Sequence, residues 1–189
     1  MVSFLVLYGT GEGQTERVAD RIVDTIRERG HEAAAFNVRD APANISLEEY
    51  EAVLIGASIH AGRHQSAIKQ FVTEHRESLT GKPTGFFQVS LSSATEDGEA
   101  EAAGYVEAFI EATDWHPDRI GLFGGALRYS EYGFLKRLLM KQIAKRSMPG
   151  VETSHDVEFT DWHEVEAFAA DFAAFVEGRL GISPPTAGH

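Results

Sequence analysis

A single doubly wound α/β domain on a five-stranded parallel sheet is the fold that this sequence predicts. Three observations carry it. Short apolar runs alternate with amphipathic stretches along most of the 189 residues. The clearest run, Ala52-Val53-Leu54-Ile55-Gly56-Ala57, is apolar throughout, as burial on both faces requires. The first run breaks at once into a glycine-rich turn and then a helix, a geometry in which backbone N–H groups and a helix N-terminus receive a phosphate.

The elements follow in order. Val2-Ser3-Phe4-Leu5-Val6-Leu7-Tyr8 is the first strand, and Gly9-Thr10-Gly11-Glu12-Gly13-Gln14-Thr15 is the turn. Val18, Ala19, Ile22, Val23 and Ile26 then recur at helical spacing, and Arg29-Gly30 closes that helix. Residues 32–38 read as a weak second strand. Their alanines suit a helix as well, and their place in the alternation decides for a strand. Ser46-Leu47-Glu48-Glu49 has the form of a capping box for a short helix. The third strand, residues 52–57, ends in the loop Ser58-Ile59-His60-Ala61-Gly62, and a helix follows through Ile68, Phe71, Val72 and His75. Lys82-Pro83 precedes the fourth strand, Gly85-Phe86-Phe87-Gln88-Val89-Ser90. A loop from Leu91 to Gly98 leads to a helix carrying Ala102, Val106, Phe109 and Ile110, and residues 119–125 make the fifth strand. The alternation is interrupted over 126–150 and resumes with Asp156-Val157-Glu158-Phe159. The final helix, with Val165, Phe168, Ala169, Phe172, Phe175 and Val176, has the strongest periodicity, and Asp161 with Glu164 is its expected cap. Residues 181–189, with Pro184-Pro185, read as a disordered tail. Residues 1–180 thus form one domain with an insertion at about 126–155.

Composition narrows the function. Hydrophobic content of 43% is ordinary for a soluble globular protein, and no basic leader precedes the first strand, so no signal peptide is expected. No apolar run approaches bilayer-spanning length. Cysteine is absent, which removes thiol redox chemistry and cysteine-ligated iron–sulfur clusters; a redox role needs an organic cofactor. A net charge of -12 argues against a general nucleic-acid binder. The expected location is the cytoplasm, with peripheral contact at the inner face of the cell membrane as the alternative.

The turn's ligand follows by elimination. A dinucleotide fingerprint wants glycines at G-x-G-x-x-G spacing, and Gln14 stands where the third belongs. A nucleoside-triphosphate loop wants Lys-Ser/Thr after its last glycine, and Gln14-Thr15 lacks the lysine. What remains is a loop without a cation, with hydroxyls at Thr10 and Thr15, able to hold a phosphomonoester by neutral hydrogen bonds and the helix dipole. The plain alternative is a tight glycine turn with no ligand. Ser58 to Gly62 and Ser90 to Ser93 follow strands expected beside strand one; both are small, polar and rich in backbone donors, suited to a flat heteroaromatic ring. Phosphate loop plus two ring loops describes a flavin mononucleotide (FMN) site.

Tyr8-Gly9-Thr10-Gly11-Glu12-Gly13-Gln14-Thr15-Glu16 resembles the flavodoxin phosphate loop. Ile55-Gly56-Ala57-Ser58-Ile59-His60, Gly124-Gly125-Ala126-Leu127-Arg128-Tyr129, Tyr132 through Lys141, and Val157-Glu158-Phe159-Thr160-Asp161-Trp162 resemble, more narrowly, the flavodoxin-like menaquinone-dependent protoporphyrinogen IX dehydrogenase family. The resemblance implies strand order 2-1-3-4-5 with a helical segment inserted at strand five. It implies that Thr10, Gly11, Glu12, Gly13, Gln14 and Thr15 wrap the FMN phosphate. It also implies that Ser58, Ile59, His60, Ala61 and Gly62, with Ser90, Leu91 and Ser92, lie along the isoalloxazine. Arg63 and Thr95-Glu96-Asp97 depart from the family pattern.

Electron-carrying flavodoxins stack a Trp or Tyr on the ring, and neither ring loop here contains one. An open ring face suits an enzyme that must admit a second flat molecule, unless Trp115, Tyr129 or Tyr132 folds over from elsewhere. His60 is the candidate for flavin contact or proton relay near neutral pH. His60 and His64 at i, i+4 could also be read as metal ligands; with no third ligand in sight, no metal is expected. His31, His75, His116, His155 and His163 read as surface or capping residues.

Residues 128–146 hold six basic residues, including Arg128, Lys136, Arg137 and Lys141, against one acid, Glu131. As a helix they segregate Phe134, Leu135, Leu138, Leu139 and Ile143 from the cations. Such a helix suits an anionic membrane surface, and it equally suits an acidic partner, tetrapyrrole propionates or packing on the sheet edge. Arg128, Tyr129, Lys136, Arg137 and Lys141 are therefore candidates for substrate or membrane contact. Three activities are compatible with this reading: a dehydrogenase passing electrons from a reduced tetrapyrrole to a quinone, a flavodoxin-type carrier docking through acidic residues such as Glu96, Asp97, Glu99 and Glu101, and an FMN-dependent quinone reductase. A phospho-receiver of the same topology would need an Asp where Ala57-Ser58 ends strand three.

Overall fold

The computed structural model describes residues 1–10, 13–42, 44–60, 63–64, 66–90, 98–124, 126–127, 157–158 and 160–184. Five parallel strands form the sheet: β1 (Ser3–Gly9), β2 (Glu32–Asn37), β3 (Ala52–His60), β5 (Thr84–Ser90) and β6 (Arg119–Gly124), in the order β2-β1-β3-β5-β6. In the sequence's own count of strands this is 2-1-3-4-5, as expected. The two-residue β4 (Arg63–His64) pairs antiparallel with the end of β3 and lies off the parallel path.

The helices cover both faces. On one side α1 (Gln14–Glu28) and α5 (Trp162–Leu180) pack Val18, Ile22, Ile26, Val165, Phe172 and Val176 against Phe4, Val6 and Tyr8. On the other, α2 (Ser66–Glu74), α3 (Arg76–Thr80) and α4 (Glu99–Thr113) close over Leu5, Leu7, Val53, Ile55 and Phe86. Alternation along β1 explains the split: neighbouring side chains point to opposite faces, and both faces are dry. Each large side chain so buried contributes about 1.5–3 kcal/mol. Gly56 in β3 makes room for the Phe87 ring, since a Cβ there would lie 2.1 Å from its nearest carbon.

Several details differ from expectation. The third strand does not stop at Ala57; Ser58, Ile59 and His60 continue it, because the return of Arg63–His64 satisfies their backbone on the free side. The helix read through His75 is two helices, and His75 closes the first by bonding its ring Nδ1 to Phe71 O at 2.9 Å. Ser46 precedes a three-residue 3-10 helix, Leu47–Glu49, without a side-chain cap bond. Lys82 Nζ holds that turn through its carbonyls, donating to Leu47 O and Tyr50 O. The cleanest division of apolar and charged faces belongs to α1, not α5, whose Phe168 and Phe175 sit half-buried outside the main stripe. Asp161 does cap α5, its carboxylate accepting from the backbone of His163 at 3.0 Å and Glu164 at 3.4 Å.

His31 is not a surface residue: its side chain is fully buried. Its Nδ1 accepts from Val2 N–H at 3.2 Å, which leaves Nε2 as the donor to Glu177 at 2.8 Å. Arg29 grips the same carboxylate with Nε at 2.7 Å and Nη2 at 2.8 Å. Past α5, Gly181 takes a left-handed conformation and Ile182 donates to Glu177 O, packing against the core. These two residues belong to the helix end rather than to the tail; residues 185–189 lie outside the described part.

At the fifth strand the chain leaves through β7 (Ala126–Leu127) and returns through β8 (Val157–Glu158), which pair antiparallel. The basic stretch 128–146 between them lies outside the described residues.

Candidate functional site

The register places the carboxyl ends of the central strands side by side. Gly9 of β1 is level with Ala57 of β3, Ser58 of β3 with Val89 of β5, and Ser90 with Gly124 of β6. The three stretches expected to form a site therefore emerge at one edge, in adjacent positions.

The turn after β1 is built for its conformation. Thr10 Oγ1 accepts from Gly13 N–H at 2.8 Å, which folds the turn back on itself. Gly13 is the N-cap of α1 at φ +85°, where a side chain would be strained although space is open around it. An α-helix leaves its first-turn N–H groups without intrahelical partners, and α1 points that end at the strand edge. Beside it stands Thr15, 1% exposed, whose Oγ1 has no hydrogen-bond partner among the described residues. Buried hydroxyls are normally satisfied, and this one sits where a phosphate oxygen would complete it. The residues present thus fit a phosphomonoester held by neutral donors.

The two flanks of α1 differ. On one, Tyr8, Glu16, Asp20 and Asp40 lie close together. Burial and then the Glu16 carboxylate, which accepts the phenol's hydrogen bond, push the Tyr8 hydroxyl up to about 12, so Tyr8 stays protonated. Burial and the neighbouring carboxylates also raise Asp20, with Arg27 opposing. On the other flank, Gln14 is buried and donates Nε2–H to Thr160 Oγ1 at 2.9 Å, while its Oε1 accepts from Arg17 at 3.2 Å. Arg17 and Arg21 lie over the Trp162 ring, 5.2 and 5.1 Å from its centroid. A turn read as lacking a cation therefore has a guanidinium one helical turn away. Arg17, Thr160 and Trp162 were not read as site residues. The Gln14–Arg17 spacing of three was a usable signal, but the contact with Thr160 spans 146 residues.

Of the expected site residues, the structure brings together Thr10, Gly13, Gln14, Thr15, Ser58, Ile59 and Ser90 at this edge. The backbone of His60 ends β3 opposite Arg63. Gly11, Glu12, Ala61, Gly62, Leu91 and Ser92, like Arg128, Tyr129, Lys136, Arg137 and Lys141, lie outside the described residues. Trp115 does not fold over the edge. It is buried in the core beside Phe86 and Phe109, with ring centroids 6.2 and 6.3 Å away.

Comparison with known proteins places this geometry. A family model for the flavodoxin domain matches residues 5–155. The chain is 34% identical over 170 residues to protoporphyrinogen IX dehydrogenase (quinone) of Escherichia coli K12, covering 89% of this chain and 93% of that protein. It is 32% identical over 172 residues to the protein of the same name from Leishmania major, covering 90% and 74%. Among solved structures, oxidised flavodoxin 1 from Bacillus cereus superposes with a TM-score of 0.55 at 18% identity, covering 91% of this chain and 97% of that one.

Proposed function

The chain belongs to the protoporphyrinogen IX dehydrogenase (quinone) family of flavodoxin domains, and from that premise we propose an FMN-dependent dehydrogenase that oxidises protoporphyrinogen IX, or a similar reduced tetrapyrrole, with a quinone as acceptor. The observation that carries the cofactor reading is the buried Thr15 hydroxyl, without a partner among the described residues, at the N-terminus of α1 on the edge shared by the three strand ends.

In this reading Thr10, Gly13, Gln14 and Thr15, with Gly11 and Glu12, hold the phosphate. The segments 58–62 and 90–92 hold the ring. Bound FMN supplies the two-electron chemistry, which the nineteen residue types of this cysteine-free protein do not. The protein's work is placement. The α1 dipole and oriented amides favour a dianion, and the Tyr8 hydroxyl, raised to about 12 by burial and by Glu16, adds no negative charge beside the turn. The burial of Trp115 in the core removes one of the three aromatics that could close the ring's outer face, which favours the enzyme over the carrier; Tyr129 and Tyr132 lie outside the described residues. His60 is the proposed proton relay, and Arg128, Tyr129, Lys136, Arg137 and Lys141 the proposed contacts to propionates or an anionic membrane.

Titration of apoprotein with FMN tests the cofactor reading. Stoichiometric quenching of flavin fluorescence and a yellow complex are expected. Protein that stays colourless after reconstitution would sink it.

A further inference from the structure

Thr160 stands between the end of β6 and the first residue of α1. Its hydroxyl donates to Gly124 O at 2.6 Å and accepts from Gln14 Nε2 at 2.9 Å, so both of its roles are used. Gln14 is held at its other end too, where Oε1 takes Arg17 Nη1. Arg17 in turn lies on Trp162, the residue that opens α5 behind its Asp161 cap. The side chain that begins the phosphate-facing helix is thus fixed from two directions, and one anchor is the backbone of a different strand.

We propose that Thr160 is a positioning residue for the phosphate-receiving turn, acting through Gln14; this rests on the FMN reading above. Thr160 is bonded to Gln14 and Gly124 rather than to Thr10, Gly13 or Thr15. What it sets is the attitude of the helix start, hence the aim of the first-turn amides and of the Thr15 hydroxyl one residue on. A site that binds an anion through neutral donors depends on those donors being oriented beforehand. The bond also ties the turn to the point where the chain leaves the sheet for residues 125–159, so the phosphate site and the fifth strand end are mechanically one unit.

The test compares FMN with riboflavin, which carries the same ring without the phosphate. Dissociation constants are read from flavin fluorescence quenching for wild type, Thr160→Val, Thr160→Ser, Gln14→Met and the Val/Met double variant. Thr160→Val is expected to weaken FMN roughly 5–10-fold, the worth of one hydrogen bond, and to leave riboflavin unchanged. Thr160→Ser should restore most of the loss, and the double variant should bind FMN no worse than Gln14→Met alone. Equal losses for both flavins, unchanged FMN binding, or additive losses in the double variant would overturn the proposal. If Thr160→Val does not fold, Gln14→Met reports the other half of the same bond, and there an equal loss for both flavins has the same meaning. A wild type that binds no FMN removes the cofactor reading and this inference together, whereas a wild type that binds beside an unaffected Thr160→Val removes this inference alone.

Discussion

At the scale of single residues, two buried polar atoms without partners among the described residues stand in different settings. Trp115 Nε1 lies within the core behind α4, surrounded by Phe86 and Phe109, and is a cost of packing a large ring. Thr15 Oγ1 lies at a helix N-terminus on the ligand edge, where a buried hydroxyl left bare costs about 1–3 kcal/mol until something accepts from it or donates to it. The two consequences of replacing it therefore have opposite signs. Thr15→Val keeps the shape and removes the bare hydroxyl, so the apoprotein should melt no lower than wild type, while FMN affinity should fall about 10-fold. Paired thermal melts and FMN titrations read both. A variant that loses apoprotein stability and keeps FMN affinity would show the hydroxyl to be structural. Thr10, Gly13 and Thr15 were legible because glycines and hydroxyls before a helix carry their chemistry in their spacing. Thr160 was legible only as part of a resemblance, since its partners are distant in sequence.

At the scale of elements, the strands and helices were legible wherever burial on both faces gave long apolar runs, and β5, buried at every position, is the plainest case. What escaped was set by pairing rather than by pattern. The extension of β3 to His60 depends on a two-residue return strand, and the short turn after Ser46 is held through its carbonyls by a lysine more than thirty residues away. The clamp between α5 and the start of β2 is of the same kind. His31 looked like a surface residue following a helix-closing glycine, and tertiary contact with Glu177 draws it inside. Hydrogen bonding from Arg29 above all, with His31 adding and burial opposing, holds Glu177 at about 2, below its ordinary 4.5. A carboxylate whose folded pKa is depressed contributes stability that is complete above its unfolded pKa and is lost as pH falls through the folded one. Glu177→Gln should thus cost on the order of 2 kcal/mol near neutral pH, allowing for the partial exposure of Arg29. For a chain of this size that lowers the thermal midpoint by about 5 °C. The gap between variant and wild type should shrink steadily as pH is lowered from about 5 to about 2. A gap that stays constant over that range would contradict the assignment.

At the scale of the whole molecule, the two helical layers and the shared edge of the three site stretches were legible in an alternating pattern with an early phosphate turn, while the strand order came with the family resemblance. The acidic balance of -12 and the basic stretch at 128–146 set the electrostatic problem such an enzyme faces. A porphyrinogen carries propionates, which a broadly acidic surface repels, so a local concentration of cations is where it would be received. No helix among the described residues is long and apolar enough to cross a membrane. The most direct test of the account is an anaerobic stopped-flow experiment on FMN-loaded protein mixed first with protoporphyrinogen IX and then with a menaquinone analogue. The account predicts bleaching of the flavin's visible band with the rise of porphyrin fluorescence, then return of the oxidised flavin spectrum on adding the quinone, over many turnovers. Flavin that reacts with neither compound, yet exchanges electrons rapidly with a redox partner protein, would contradict it and identify a carrier.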